Sequence, residues 1–251
     1  MAITKIEEHK ADWSEVEGVW GMAIDMDVCS GCQACVAACA MENNISFVGE
    51  EDSGYGRALH WIRVEHTWEG EYPDVHSTPF QPISCQQCGD APCEPVCPVF
   101  AAVHSQTEDI NLQVYNRCVG TRYCANNCPY VARTFNHRDY ERPEPLANQL
   151  NPEVTVRRRG IMEKCTFCIQ RIHKGNEKAK LEGRAVQDGD VVPACAQACP
   201  ADAIVFGRLD DEHSVVSQMT AQGRAFKLME DMNTKPRVTF LTEEKSYGRH
   251  G

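Results

Sequence analysis

Apolar and polar positions divide the chain into short segments. Leu59, Trp61, Ile62, Val64 and Trp68 partly alternate with polar residues, which predicts a strand over 59–68. Residues 103–114 read as a short hairpin with Glu108 and Asp109 at its turn. Further strands are expected over 131–135, 203–206 and 237–241. The spacing over 166–182 suits an exposed helix closed by Gly183, and residues 212–232 look helical. Residues 138–151 are polar and carry Pro143 and Pro145, with Pro152 just beyond, so a loop is expected there. The longest weakly polar run, 32–41, falls well short of the ~18 apolar residues of a spanning helix. Residues 1–19 bring Glu7, Glu8, His9, Lys10 and Asp12 with no apolar stretch and no twin arginine, so no export signal is expected.

Composition changes this picture in two ways. The chain has 251 residues, room for one or two domains at roughly 150 each. Its 25 basic and 36 acidic residues give a formal charge of −11, which speaks against nucleic-acid binding and leaves no polybasic handle for an anionic membrane. The apolar share of 42% includes 15 cysteines, a high number for this length, so the apolar core is small and the chemistry lies with the thiols.

The cysteines form four groups. Cys29, Cys32, Cys35 and Cys39 are spaced C-x2-C-x2-C-x3-C; Cys85, Cys88, Cys93 and Cys97 are spaced C-x2-C-x4-C-x3-C-P. Cys118, Cys124 and Cys128 read C-x2-T-x2-C-x3-C-P, with Thr121 where a cysteine is expected. Cys165, Cys168, Cys195 and Cys199 read C-x2-C-x26-C-x3-C-P. An odd count of cysteines and repeated CxxC pairs fit disulfides badly. Zinc favours CxxC pairs but has no use for three thiols in one C-x2-C-x2-C run, nor for a following proline. That run is the bacterial ferredoxin pattern: three close thiolates wrap one corner of a cubane, and the fourth reaches a neighbouring cluster. Pro98, Pro129 and Pro200 stop the local helical turn, whereas the first group has Ala40 in that place. No CxxC is followed by His, so c-type haem is excluded; there is no phosphate loop and no HExxH, and Gly54-Tyr55-Gly56 is a turn.

In the two-cluster scheme, groups exchange their fourth cysteine. Groups two and three are close in sequence and pair with each other, which leaves group one with group four. Cys29, Cys32, Cys35 and Cys199 then hold one [4Fe–4S] cluster; Cys39, Cys165, Cys168 and Cys195 a second; Cys85, Cys88, Cys93 and Cys128 a third. Cys97, Cys118 and Cys124 remain for the fourth. A threonine hydroxyl is a poor iron ligand, so an open corner at Thr121 predicts a [3Fe–4S] cluster; the alternative is [4Fe–4S] with water or hydroxide on the fourth iron. At about −2 per cluster, four clusters take the charge towards about −19. Lys164, Arg117, Arg171 and Lys174 lie near cysteines and would offset it, unless they form an ordinary solvated face. The Arg157-Arg158-Arg159 run either meets a partner or is an idle loop. His60, His66, His76, His104, His137, His173, His213 and His250 are scattered and are expected to be ordinary.

The four-group order resembles the four-cluster electron-transfer subunits of complex iron–sulfur molybdoenzymes, such as dimethyl sulfoxide, polysulfide and nitrate reductases, over roughly residues 20–210. Residues 115–130, YNRCVGTRYCANNCPY, and 159–168, RGIMEKCTFC, look like the iron–sulfur part of alternative complex III, which has a threonine at the same place and a [3Fe–4S] cluster. A free-standing version is similar to the iron–sulfur subunit of quinone reductase (Qrc) complexes. The resemblance implies a wire that makes no bonds itself. Its partners would be a molybdopterin-oxidoreductase-like subunit, a multihaem cytochrome c subunit and an NrfD-like integral membrane subunit holding menaquinone, in a hetero-oligomer. It implies a peripheral place on the periplasmic side of the cytoplasmic membrane, reached by co-export with a signal-bearing partner. The fourth cluster would lie nearest the membrane. The rival circuit is a true molybdoenzyme subunit taking electrons from quinol; a zinc scaffold is the rival outside redox chemistry. The fold expected is α+β: residues 1–83 with 155–251 form a ferredoxin-like module on groups one and four, and 84–154 a second on groups two and three. Inserted loops and strands and a C-terminal helical extension complete it. Because clusters would replace apolar burial, removal of iron is expected to abolish the compact fold. Near-native circular dichroism after chelation would contradict this.

Overall fold

The computed structural model describes residues 18–77, 79–105 and 107–243; the N-terminal segment 1–17 and His250 lie outside them. Its base is a four-stranded sheet centred on Trp20–Asp25, all six residues of which are buried. Ile204–Arg208 pairs antiparallel on one side, with Trp20 opposite Arg208 and Ile24 opposite Ile204. Val238–Leu241 pairs parallel on the other, with Met22 opposite Val238, and Ala225–Phe226 closes that edge. Trp20, Met22 and Ile24 face the main core, while Ala23 packs with Val216 and Leu241 on the opposite face. A strand buried on both faces shows no alternation, which is why periodicity does not mark it in the sequence. Each fully buried large side chain here contributes about 1.5–3 kcal/mol.

The remaining strands form two-stranded pairs. The stretch 59–68 breaks into Ile62–Glu65, paired with Gln81–Ser84, and Trp68–Glu69, paired with His76–Ser77. The expected hairpin is present as Ala102–His104 with Asn111–Gln113, Thr107 and Glu108 turning and Asp109 at φ +49°. Of 131–135, only Thr134–Phe135 is a strand, paired with Met162–Glu163. Val131 adopts φ +49° and turns the chain instead. The helix predicted over 166–182 is Ile169–Leu181; it buries Ile172, Gly175 and Ala179 along one face and ends at Gly183.

The C-terminal extension is not the expected helix. Only Val215–Thr220 is α-helical, capped by Ser214, whose hydroxyl accepts the Ser217 N–H at 3.1 Å. A 3-10 turn spans Glu230–Met232. Between them, Ala225 and Phe226 gain more by joining the sheet edge than by continuing the helix. The chain then docks on the second cysteine group: Gly89 N–H donates to Lys235 O at 2.9 Å and Arg237 N–H to Gln86 O at 2.9 Å.

Several charged groups lie inside rather than on a solvated face. Lys164 is fully buried and Arg157 is nearly so. Arg157 Nη2 pairs with buried Glu163 at 2.8 Å, and Glu163 also accepts the Trp61 indole N–H at 3.0 Å. Arg158, Arg159 and Arg117 are exposed, as a surface loop requires. Arg171 pairs with Glu42 at 2.6 Å and Lys174 with Glu153 at 2.7 Å.

His104 departs from the ordinary reading. It lies between Glu94, 2.8 Å from Nδ1, and Asp109, 3.2 Å from Nε2. Burial works against its charge, but the hydrogen bonds to Asp109 and Glu94 prevail and lift its pKa to about 9. A folded pKa above the unfolded value of about 6.5 adds stability that is complete below that value and is lost as pH rises through about 9. His104→Gln should remove this contribution, about 1.5–3 kcal/mol on the scale of a charged hydrogen bond. Hydrogen exchange at the Ser105 amide, bonded to Ile110 O at 2.8 Å, measures it in both proteins between pH 6 and 10. The difference between them should close as pH rises; parallel curves would contradict the pairing.

Candidate iron–sulfur cluster sites

The cysteine groups build two recurrent turns. In the first group, Gly31 (φ +67°) and Gln33 (φ +60°) bracket exposed Cys32, and the helix Ala34–Glu42 follows. In the third, Gly120 (φ +74°) and Arg122 (φ +61°) bracket exposed Thr121, and Tyr123–Asn126 follows. Thr121 therefore occupies the position of Cys32 in a turn of the same handedness. A Cβ on Gly120 would stand 2.4 Å from Gly160 O, so both space and φ require glycine there.

The second turn follows Cys-Pro. Phe100, Val131 and Asp202, each three residues past a cysteine, adopt φ of +48° to +49°. Two of these turns aim a backbone N–H back at sulfur: Ala101 N lies 3.1 Å from Cys97 Sγ, and Ala203 N 3.3 Å from Cys199 Sγ. Proline limits the preceding helices, Tyr123–Asn126 and Ala194–Gln197, to one turn each. With Ala40 instead, the first group's helix runs on to Glu42, and the left-handed turn waits until Asn44 at φ +50°.

All fifteen cysteines are free. Cys29, Cys32, Cys35 and Cys199 line one cavity. Cys39, Cys165, Cys168 and Cys195 line another, walled by Met22, Asn43, Trp61 and Phe167. Cys88 lies within electrostatic reach of Cys85, Cys93 and Cys128, and Cys124 within reach of Cys118 and Cys97. Successive sets adjoin: Cys35 acts on Cys195, and Cys85 on Cys165.

Protonation states describe the donors. Burial, reinforced by neighbouring thiols, lifts Cys35 to about 11 and Cys88 and Cys165 to about 12. The same causes push Cys39 and Cys195 well above the usual thiol range. Cys32 goes the other way, because the Ala34 N–H and the Ser30 hydroxyl favour its thiolate. At Cys97, burial opposes the charge, but the amides of Ala102, Val99 and Ala101 and the Arg133 charge outweigh it. Such buried thiols ionise only against a cation. The donors are soft thiolates, and they line cavities; among the described residues no three His, Cys, Asp or Glu stand close enough to hold a single ion. The arrangement fits a multi-atom iron–sulfur cluster.

Residues with no ligand role complete the sites. Arg133, 6% exposed, places Nη2 3.0 Å from Cys93 Sγ. Lys164 Nζ donates to Cys165 O at 2.9 Å and to Asn111 O. Asn43 Nδ2 stands 3.6 Å from both Cys39 Sγ and Cys168 Sγ. Adjacency to Cys165 marks Lys164 in the sequence, but nothing marks Arg133 or Asn43.

The 4Fe-4S dicluster domain family matches this chain twice, at residues 28–101 and 117–203. The chain is 40% identical to the menaquinone reductase iron–sulfur cluster-binding subunit of Nitratidesulfovibrio vulgaris, covering 96% of this chain and 95% of that protein. It is 35% identical to a putative dimethyl sulfoxide reductase iron–sulfur subunit of Halobacterium salinarum (92% and 81% covered). It is 33% identical to the arsenate respiratory reductase iron–sulfur subunit of a Shewanella species (91% and 97% covered). With the thiol sets and turns described above, these matches show that the chain belongs to the 4Fe-4S dicluster family and is an iron–sulfur electron-transfer protein of that family.

Proposed function

We propose that the chain relays electrons between a periplasmic multihaem cytochrome c partner and menaquinone in an NrfD-like membrane subunit, beside a molybdopterin-oxidoreductase-like subunit. The observation that carries this reading is the succession of thiol sets through Cys35–Cys195 and Cys165–Cys85, and through Arg133, which meets Cys93 Sγ at 3.0 Å and whose charge reaches Cys124. The 40% identity to a menaquinone reductase subunit supports the quinone end of the circuit. When bound, the clusters supply one-electron chemistry; the chain's residues hold their spacing, charge and hydrogen bonding.

In this reading three [4Fe–4S] clusters sit on Cys29, Cys32, Cys35 and Cys199; on Cys39, Cys165, Cys168 and Cys195; and on Cys85, Cys88, Cys93 and Cys128. Cys97, Cys118 and Cys124 hold a [3Fe–4S] cluster, supported by the match between the Thr121 and Cys32 turns. Residues 1–83 and 155–251 form one module, supported by the pairing of Trp20–Asp25 with Ile204–Arg208. Residues 84–154 form the other. Phe100, Val119, Tyr123 and Val131 are large apolar side chains, 59–72% exposed, on the loops of the Cys97, Cys118 and Cys124 set. They favour that set as the one facing the membrane subunit. Among the described residues no helix is long and apolar enough to cross a membrane. In this reading the chain sits peripherally on the periplasmic side, held by the membrane subunit. The dimethyl sulfoxide and arsenate reductase relatives support a second circuit, in which electrons leave quinol for a molybdoenzyme.

Three [4Fe–4S] clusters and one [3Fe–4S] cluster require about 15 iron and about 16 sulfide. The oxidised protein should show a [3Fe–4S] paramagnetic signal. Sixteen iron with a silent oxidised spectrum would mean a fourth complete cubane and overturn the Thr121 reading. Thr121→Cys should add about one iron and abolish that signal; unaltered metal content and spectrum would sink the assignment. Gly120→Ala should cost about three iron, those of the fourth centre alone, since its Cβ meets Gly160 O. Iron retained in full would show that this turn does not govern the centre.

A further inference from the structure

Arg133 follows the Cys128-Pro129 turn by a few residues. Val131, left-handed at φ +49°, is 72% exposed, and the chain beyond it brings Arg133 inside. Among the described residues the guanidinium forms no carboxylate pair there. Nη1 donates to Gln113 Oε1 at 2.6 Å; Nη2 donates to Asn111 Oδ1 at 2.9 Å and meets Cys93 Sγ at 3.0 Å. Its charge and hydrogen bonding also reach Cys124, which belongs to the next thiol set. An arginine guanidinium stays protonated at any physiological pH, so the group is a fixed cation.

We infer that Arg133 is a positioning residue for electron transfer, a single cation shared by the Cys85, Cys88, Cys93 and Cys128 set and the Cys97, Cys118 and Cys124 set, which raises the reduction potentials of both. The inference rests on the reading that each set holds a cluster. A one-electron transfer between them oxidises one cluster by one electron and reduces the other by one. No proton is required, because Arg133 stays charged throughout. A cation beside only one cluster would hold the electron there. A cation between two favours the electron on either, so the step across it keeps its driving force small. The N–H···S bond to Cys93 adds to the charge on that side, since hydrogen bonds to sulfur stabilise the reduced cluster. Asn111 and Gln113, on the Asn111–Gln113 strand, aim the guanidinium by accepting from Nη2 and Nη1.

A structural brace would have the same contacts, so the test reads potentials. The assembled complex is titrated by paramagnetic resonance as wild type, Arg133→Gln, Arg133→Lys and Gln113→Leu. Arg133→Gln should lower both adjoining midpoints by at least tenfold in the reduction equilibrium, 59 mV for one electron. The centres on Cys29 and on Cys39 should stay in place. Arg133→Lys should give a smaller fall, greatest on the Cys93 side where the bond to sulfur is lost. Gln113→Leu, which loosens the brace and keeps the charge, should leave both midpoints within threefold. Unmoved midpoints in Arg133→Gln with full iron would overturn the inference, as would equal shifts in all four centres. If Arg133→Gln loses iron, Arg133→Lys decides: an unmoved Cys93-side midpoint overturns it. A wild-type complex lacking either centre would overturn the four-cluster reading itself, a result distinct from complete centres that fail to respond.

Discussion

Everything in this chain depends on burying thiols that cannot ionise by themselves. Cys39, Cys165 and Cys195 are enclosed beside one another, and burial holds their protons on. Each thiolate becomes favourable only when iron arrives, so the sites and the fold form together. The polypeptide's share of this work is geometric. Left-handed residues at Gly31, Gln33, Gly120 and Arg122 turn the chain around a cavity; Phe100, Val131 and Asp202 turn it away again. Val131 is β-branched, and such a conformation costs roughly 1–3 kcal/mol, which the surrounding contacts must offset.

The same enclosure explains the buried cations. Iron–sulfur clusters bring negative charge into a small interior, and Arg133 and Lys164 lie between neighbouring thiol sets rather than outside them. Their hydrogen bonds go to neutral oxygens and to sulfur. A buried cation with only neutral partners is expensive unless a delocalised anion stands nearby. Arg157 differs: it is balanced by Glu163 and lies over the Trp61 and Tyr115 rings, so it serves packing.

The chemistry was legible because iron imposes spacing on the sequence itself. The four groups, the misfit at Thr121 and the Pro-stopped turns are all local. Short-range patterns likewise marked the Ala102–His104 hairpin and the Ile169–Leu181 helix. What was not legible depends on distant segments meeting. Trp20–Asp25 has no alternation because both of its faces are covered, one by the main core with Trp61 and Phe167 and the other by Val216 and Leu241. The segment 212–232 carries helical spacing, yet Ala225 and Phe226 answer to the sheet edge. Lys164 and Arg157 look solvated in one dimension, and His104 acquires its charge from two carboxylates that only the fold assembles.

The missing proline of the first group shows how one local change organises a longer range. Without a stop at Ala40, the helix Ala34–Glu42 carries the chain one turn farther than its counterparts. That extra turn delivers Glu42 to Arg171, and Asn43 to the Cys39 and Cys168 sulfurs. Asn44 then donates to the carbonyls of Asn151 and Val154 at 2.8 and 2.7 Å, and Arg157 returns bonds to Asn43 O and Asn44 O. A proline at position 40 would end the helix early and take these partners out of register. Three groups use proline to leave the thiol site quickly; the first group forgoes it, and so ties the loop around residue 151 to the second thiol set.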